Sequence, residues 1–384
     1  MRHVYIIGTG ATPVGEHWDR SPASLALEAL TGALGNIPAS RIGALYVASA
    51  LSASLHTQSQ IATLIATAAG IPGVEAVTVE AGGASGGVAL RQACLAVAAG
   101  AVDLAVVVGV EKVTDVLDAR REAALALATD VDWEAIHGVT LTALWALLMR
   151  RYTHEYGYSA DDFAPFPVNA HANGVANPRA MYRFAITAEK VRNAPMVAEP
   201  LGLLDCSTAA DGAAAVLIAG EGLAHELCAT PVRIAGSATA TDTLALHSRP
   251  DPLWFPAAAH STAAALRTAR LTHSDVQVLD VSDPHGIAAA LALESSGFVE
   301  RGSAVALAHE GAITPKGRLP LATGGGCKAR GDVVGANGVY QIVELVAQLR
   351  GQAGAAQVNG ARVALAQCMG GISATVATHI LTLE

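Results

Sequence analysis

Residues 37–48 of this chain recur at 271–282. Ile37-Pro38-Ala39-Ser40-Arg41-Ile42-Gly43-Ala44-Leu45-Tyr46-Val47-Ala48 aligns with Leu271-Thr272-His273-Ser274-Asp275-Val276-Gln277-Val278-Leu279-Asp280-Val281-Ser282 in its apolar positions and its serine. Each copy follows an Ala-rich helical stretch and ends in a short apolar run that reads as a strand. A chain carrying one βαβαβ unit twice is confined to folds with two related halves, each a sheet covered by helices. Chance matching of Ala-rich segments is the competing account, and the order of elements favours duplication. Predicted strands at 3–8, 44–48, 75–79 and 103–109 flank helices near 21–35, 58–69 and 84–99. Later strands near 232–235, 276–281, 362–366 and 374–381 flank helices near 256–269, 285–296 and 335–349.

Between the halves the composition shifts toward aromatic and charged residues, as in Arg150-Arg151-Tyr152 and His154-Glu155-Tyr156. This predicts an inserted loop domain at 116–200, an N-terminal half of 1–115 plus 201–222 closed by a buried strand at 212–219, and a C-terminal half at 223–384. With 384 residues the chain is too long for a single core. Its net charge of −9, with no basic cluster, argues against nucleic acid or an anionic membrane as partner. A few local cations suffice for the phosphates of coenzyme A. The first apolar run is too short for a signal sequence and later ones are broken by Asp or Gly, so a soluble, cytoplasmic protein is expected. The five cysteines are odd in number and lack CxxC spacing, against a disulfide framework or a zinc site.

Two glycine-rich segments invite a nucleotide-loop reading. Gly8-Thr9-Gly10-Ala11-Thr12-Pro13 follows the first strand but lacks a third glycine and carries proline in its place. The run at 82–87 joins the third strand to a helix, with no acidic residue placed to hold a ribose. A tight strand-to-helix turn accounts for it.

That second run carries more. Val79-Glu80-Ala81-Gly82-Gly83-Ala84-Ser85-Gly86-Gly87 resembles the V-E-x-x-C-A-S-G-G nucleophile loop of sterol-carrier-protein-x and archaeal-type thiolases, with Gly83 where the cysteine stands. Gly109-Val110-Glu111-Lys112-Val113-Thr114 resembles their G-V-E-K-M-T segment, and Asn169-Ala170-His171 through Asn177-Pro178 their K-N-H…N-P stretch. Pro195-Met196-Val197-Ala198-Glu199-Pro200-Leu201, Leu204-Asp205-Cys206-Ser207 and Asp211-Gly212-Ala213-Ala214-Ala215 are similar to a further block, and Lys328-Ala329-Arg330-Gly331 with Val334-Gly335-Ala336-Asn337-Gly338 to K-A-R-G-H-P-V-G-A-T-G. The resemblance runs from first strand to last. It implies the thiolase fold, an α-β-α-β-α sandwich of two five-stranded halves with a loop domain, a homodimer, CoA thioester substrates and no tightly bound cofactor.

The motifs that carry thiolase chemistry depart from the family. A thiolase needs a cysteine at a helix start, where the dipole and free N–H groups favour the thiolate, plus histidine and a second acid or base. The H-D-A-F or N-E-A-F motif aligns with Ser282-Asp283-Pro284-His285, and G-H-P with Gly331-Asp332-Val333. Cys368-Met369-Gly370-Gly371 retains the C-x-G pattern. Three changes in four motifs fit natural divergence, and the chain is similar to the superfamily's aldolases that cleave steroid side chains without the cysteine. Retro-aldol cleavage of a β-hydroxyacyl-CoA needs a base, donors for the thioester enolate and an acid. Asp332 is the candidate base, or else the cap of the helix that follows. The N–H groups of Gly83 and Gly370, with Ser282, are candidate enolate donors. Cys368 or His285 is the candidate acid, although a buried inert cysteine and a packed histidine fit the same positions. Two other readings stay open: an acyltransferase with Cys368 as nucleophile, and a non-catalytic subunit. The resemblance to the aldolases also implies a small OB-fold and zinc-ribbon partner protein.

Overall fold

A computed structural model describes residues 2–383 of the chain. Eleven strands occur in chain order: β1 (Val4–Ala11), β2 (Ala44–Ala48), β3 (Glu75–Val79), β4 (Leu104–Glu111), β5 (Met196–Ala198), β6 (Leu201–Gly202), β7 (Gly212–Gly220), β8 (Val232–Thr241), β9 (Val278–Val281), β10 (Val363–Gly370) and β11 (Thr375–Thr382). Nine of them hydrogen-bond in the order β3-β2-β4-β7-β1-β8-β11-β10-β9. β2 runs parallel to β3 and β4, and β9 parallel to β10; the other neighbours are antiparallel.

The order is that of one unit used twice. β1, β2, β4 and β7 correspond to β8, β9, β10 and β11, and the two sets meet only at the short pairing of Tyr5 with Arg233 and Ile6 with Val232. Helix Pro22–Leu34 and strand β2 reappear 234 residues later as helix Pro256–Ala269 (Pro22 to Pro256) and β9 (Ala44 to Val278). The duplication read from residues 37–48 is therefore visible in the elements. One strand is lost in the second copy. Where β3 lines β2, β9 has a single bridge, Leu279 to Leu321, next to Pro320, which has no N–H to offer a ladder.

Alternation along the strands builds the layers. On β2, Ala44, Tyr46 and Ala48 join one core cluster, while Leu45 and Val47 join another with helices Pro22–Leu34 and Ile61–Ala68. On β10, Ala364 and Ala366 share the first cluster, and Leu365 faces away with helices Pro256–Ala269 and Gly286–Ser295. The shared middle layer is made by helices Ser85–Ala99 and Asn337–Leu349, which thus have a sheet on each side. The result is the α-β-α-β-α sandwich expected. The two helices touch through glycine: a β-carbon on Gly338 would lie 2.6 Å from the Gly87 nitrogen, so a side chain there would push the helices apart.

The segment between β4 and β7 packs on the second half. Leu144, Trp145, Leu148 and Tyr152 of helix Leu141–Tyr156 join the cluster of Phe255, Ile287 and Leu291, and the Tyr152 hydroxyl donates to Glu294 Oε1 at 2.6 Å. No helix among the described residues is long and apolar enough to cross a membrane.

Candidate active site

Strand ends position the site. The loops after β3 and β9, the end of β10 and the turn leading into helix Asn337–Leu349 converge on one cavity of about 540 Å³, the crevice at carboxyl ends of strands where α/β proteins place their ligands. Gly83, Ser282, His285 and Asp332 all line it, though they lie far apart in sequence. The inserted segment closes it with an apolar wall that includes Leu125, Leu141 and Trp145.

Buried carboxylates fasten these loops. Glu111 accepts from Ser49 Oγ and from the N–H groups of Ala50, Leu51 and Gly335, tying the loop after β2 to the turn beyond Asp332. Burial pushes its carboxyl up to about 7 against those four donors. Asp211 accepts from the N–H groups of Val113, Thr114 and His17, from Thr114 Oγ1 and from Lys112 Nζ at 3.0 Å. The conspicuous G-V-E-K and D-G-A-A-A blocks thus serve the scaffold.

Gly83 occupies a 3₁₀ turn, Gly82–Ala84, that leads into helix Ser85–Ala99. Its N–H has no acceptor among the described residues and stands at the positive end of the helix dipole. The site of the missing side chain is filled: a β-carbon on Gly83 would lie 2.5 Å from the Met369 carbonyl oxygen. Ser282 Oγ accepts the Met369 N–H at 3.0 Å, which leaves its hydroxyl hydrogen to donate to a ligand.

Asp332 is half-buried and holds three donors. Oδ1 accepts from the Val334 N–H at 3.0 Å and from Asn337 Nδ2 at 2.6 Å; Oδ2 accepts from Ser207 Oγ at 3.0 Å. One oxygen therefore caps the turn Val334–Ala336 and the other is held by a second cavity residue, Ser207. Behind Asn337, the fully buried Arg330 donates to its Oδ1 and pairs with Glu344, both at 3.0 Å.

His285 is buried at the start of helix Gly286–Ser295, its ring 6.1 Å from that of Trp145. Neither ring nitrogen has a protein partner. Burial, and secondarily the nearby Lys328, drives its pKa down to about 3. The ring is neutral near pH 7, so it offers a hydrogen bond but no ready proton, which corrects the acid role expected of it.

Cys368 is also corrected. It shares a face of β10 with Ala364 and Ala366, so it points into the middle layer and does not line the cavity. There it packs with Ala84 and Ala377, its Sγ 3.6 Å from the Ala84 carbonyl oxygen, and burial pushes the thiol up to about 12. Gly370 pairs with Thr375 in the sheet and is likewise absent from the lining, where its neighbours Met369 and Gly371 appear. The sequence reading missed Cys327, Ser207, Asn337 and Trp145, all of which line the cavity. For Cys327 the GGG run before it was an available signal of close backbone approach. Among the described residues no cluster of His, Cys, Asp and Glu is arranged to hold a metal ion.

A twofold-repeated sandwich with one cleft at the strand ends, walled by an inserted segment, defines a thiolase-type architecture. The chain matches the model of the thiolase N-terminal domain over residues 4–222 and that of the thiolase C-terminal domain-like family over 238–383. It belongs to the thiolase family, whose enzymes act on CoA thioesters. It is 40% identical over 384 residues, the whole of both chains, to an acetyl-CoA acetyltransferase of Methanothermobacter thermautotrophicus. It is 31% identical over 359 residues to the 17-hydroxy-3-oxo-4-pregnene-20-carboxyl-CoA lyase of Mycobacterium tuberculosis, covering 90% of this chain and 91% of that one. Among solved structures it is similar to an Ltp2-ChsH2(DUF35) aldolase, with a TM-score of 0.85 and 25% identity over 99% of this chain and 98% of the other.

Proposed function

We propose that this protein cleaves a carbon–carbon bond of a β-hydroxyacyl-CoA by a retro-aldol reaction, with no acyl-enzyme. The observation that carries the reading is an open cavity holding a carboxylate while the thiolase nucleophile position is both side-chain-free and filled by the Met369 carbonyl. A base and enolate donors suit that arrangement; acyl transfer to a thiol does not.

Asp332 takes the proton of the β-hydroxyl. The O–H electron pair becomes the carbonyl bond, the Cα–Cβ pair moves into the thioester, and the Gly83 N–H and Ser282 hydroxyl receive the developing negative oxygen. A positioned base contributes about 10²–10⁴-fold, and a single oxyanion donor about 10²–10³-fold. The lyase name of one relative and the aldolase title of the similar structure support this chemistry.

Acetyl transfer is the second reading, favoured by the 40% identity to a protein named acetyl-CoA acetyltransferase. It requires a thiol within reach of a thioester, and Cys368, the candidate raised for it, faces the middle layer. A homodimer and a small OB-fold, zinc-ribbon partner belong to the proposal, since the similar aldolase structure is titled as a complex with ChsH2(DUF35). A non-catalytic supporting subunit is the remaining alternative, and the open cavity speaks against it.

The test is release of ketone or aldehyde from β-hydroxyacyl-CoA substrates of several chain lengths, assayed with the protein alone and with co-encoded neighbours. Carbonyl release supports the reading; acetoacetyl-CoA thiolysis in its place supports acetyl transfer.

A further inference from the structure

With Cys368 turned away and His285 neutral, the proton returned to the α-carbon needs another source. Of the five cysteines, all among the described residues, Cys327 alone lines the cavity. It lies in a single π-helical turn, Gly326–Arg330, a form that recurs at functional sites. The turn is rigidly held: Gly325, Gly326 and Gly331 have φ of 104°, 57° and 108°, and the Cys327 N–H donates to Asp283 Oδ1 at 2.5 Å.

A second feature marks this wall as a ligand site. His285 lines the same cavity, is only 5% exposed, and leaves both ring nitrogens unpartnered. A buried polar side chain left unmade in the free protein is completed by a polar atom of whatever fills the cavity.

We propose that the Cys327 thiol is the proton donor to the α-carbon of the thioester enolate, working with Asp332 as a closed proton cycle; this rests on the retro-aldol reading. The balance is complete. Asp332 accepts the β-hydroxyl proton as the Cα–Cβ bond breaks, the S–H bond of Cys327 breaks as the new Cα–H bond forms, and the proton on Asp332 returns to the thiolate. β-Hydroxyacyl-CoA becomes a carbonyl compound and a shortened acyl-CoA, with both residues restored and no oxidant or co-reactant. Burial first, and then Asp332, the strongest charge acting on the thiol, raise the Cys327 pKa well above the usual cysteine value. A thiol so placed stays protonated, as a donor must, and is a poor nucleophile. An enolate carbon is a far stronger base than a thiolate, so the transfer is favourable.

The test compares wild type, Cys327→Ala and Cys327→Ser in two assays: carbonyl release from β-hydroxyacyl-CoA, and exchange of the α-hydrogens of propionyl-CoA in D₂O read by mass. Cys327→Ala is expected to lose at least about 10²-fold in both while binding propionyl-CoA with unchanged Kd. Cys327→Ser is expected to fall between, with its pH profile displaced. Carbonyl release undiminished in Cys327→Ala overturns the proposal and leaves the retro-aldol reading intact. Wild-type exchange that depends on Cys327, without carbonyl release, keeps Cys327 as proton donor and overturns the retro-aldol reading. Absence of exchange in the wild type overturns both.

Discussion

The carbonyl oxygen of Met369 sits 2.5 Å from where a β-carbon of Gly83 would be. Met369 cannot easily yield, because it is paired with Val376 in the sheet and its N–H is held by Ser282 Oγ. The nucleophile loop has closed around the absence of a side chain, so the change at residue 83 is built into the backbone of the facing strand.

Restoring the thiol should therefore not restore a thiolase. Gly83→Cys is expected to lower stability by about 1–3 kcal/mol, the usual cost of overpacking, and to gain no acetoacetyl-CoA thiolysis. Denaturant midpoints and a thiolysis assay check both parts. A variant as stable as wild type that cleaves acetoacetyl-CoA would show that the space is available after all.

Asp332→Asn separates the two roles of this residue. As the base, Asp332 is worth about 10²–10⁴-fold in kcat, and asparagine keeps an oxygen for the Val334 N–H, so turnover should collapse with little change in denaturation midpoint. As a cap alone, it would leave kcat near wild type, with any stability loss no larger than about 1 kcal/mol. Steady-state kinetics beside urea denaturation decides.

His285 gives a pH signature. Its pKa is about 3 in the folded protein against an ordinary 6.5, so the unfolded chain takes up the proton first as the solution is acidified. The stability tied to the neutral ring is fully present above pH 6.5 and is lost as pH falls toward 3. Between those limits wild type should weaken relative to His285→Gln by up to about 1.4 kcal/mol per pH unit. Urea denaturation of both proteins at pH 7.5 and pH 5 measures this. A difference between them that does not move with pH would contradict a buried neutral histidine.

The fold was legible because the duplication and the strand patterns are local signals. β2 and β3 begin and end where the Val-rich runs do, and Pro22 and Pro256 open equivalent helices. The single bridge at Leu321 was not, since only its neighbour Pro320 distinguishes it from a strand. In the site, Gly83, Ser282 and Asp332 were legible through their positions at loop starts. Cys368 was misplaced although alternation carried the answer: Ala364, Ala366 and Cys368 share one face of β10, and Met369 takes the other. Cys327, Ser207 and Trp145 reach the cavity from three separate segments, a meeting that tertiary folding alone brings about.

Intact mass tests the central claim most directly. After incubation with acetyl-CoA or acetoacetyl-CoA and rapid acid quenching, the protein should show its unmodified mass, because no nucleophilic thiol faces the thioester. A stable acetyl adduct on any cysteine would contradict the account.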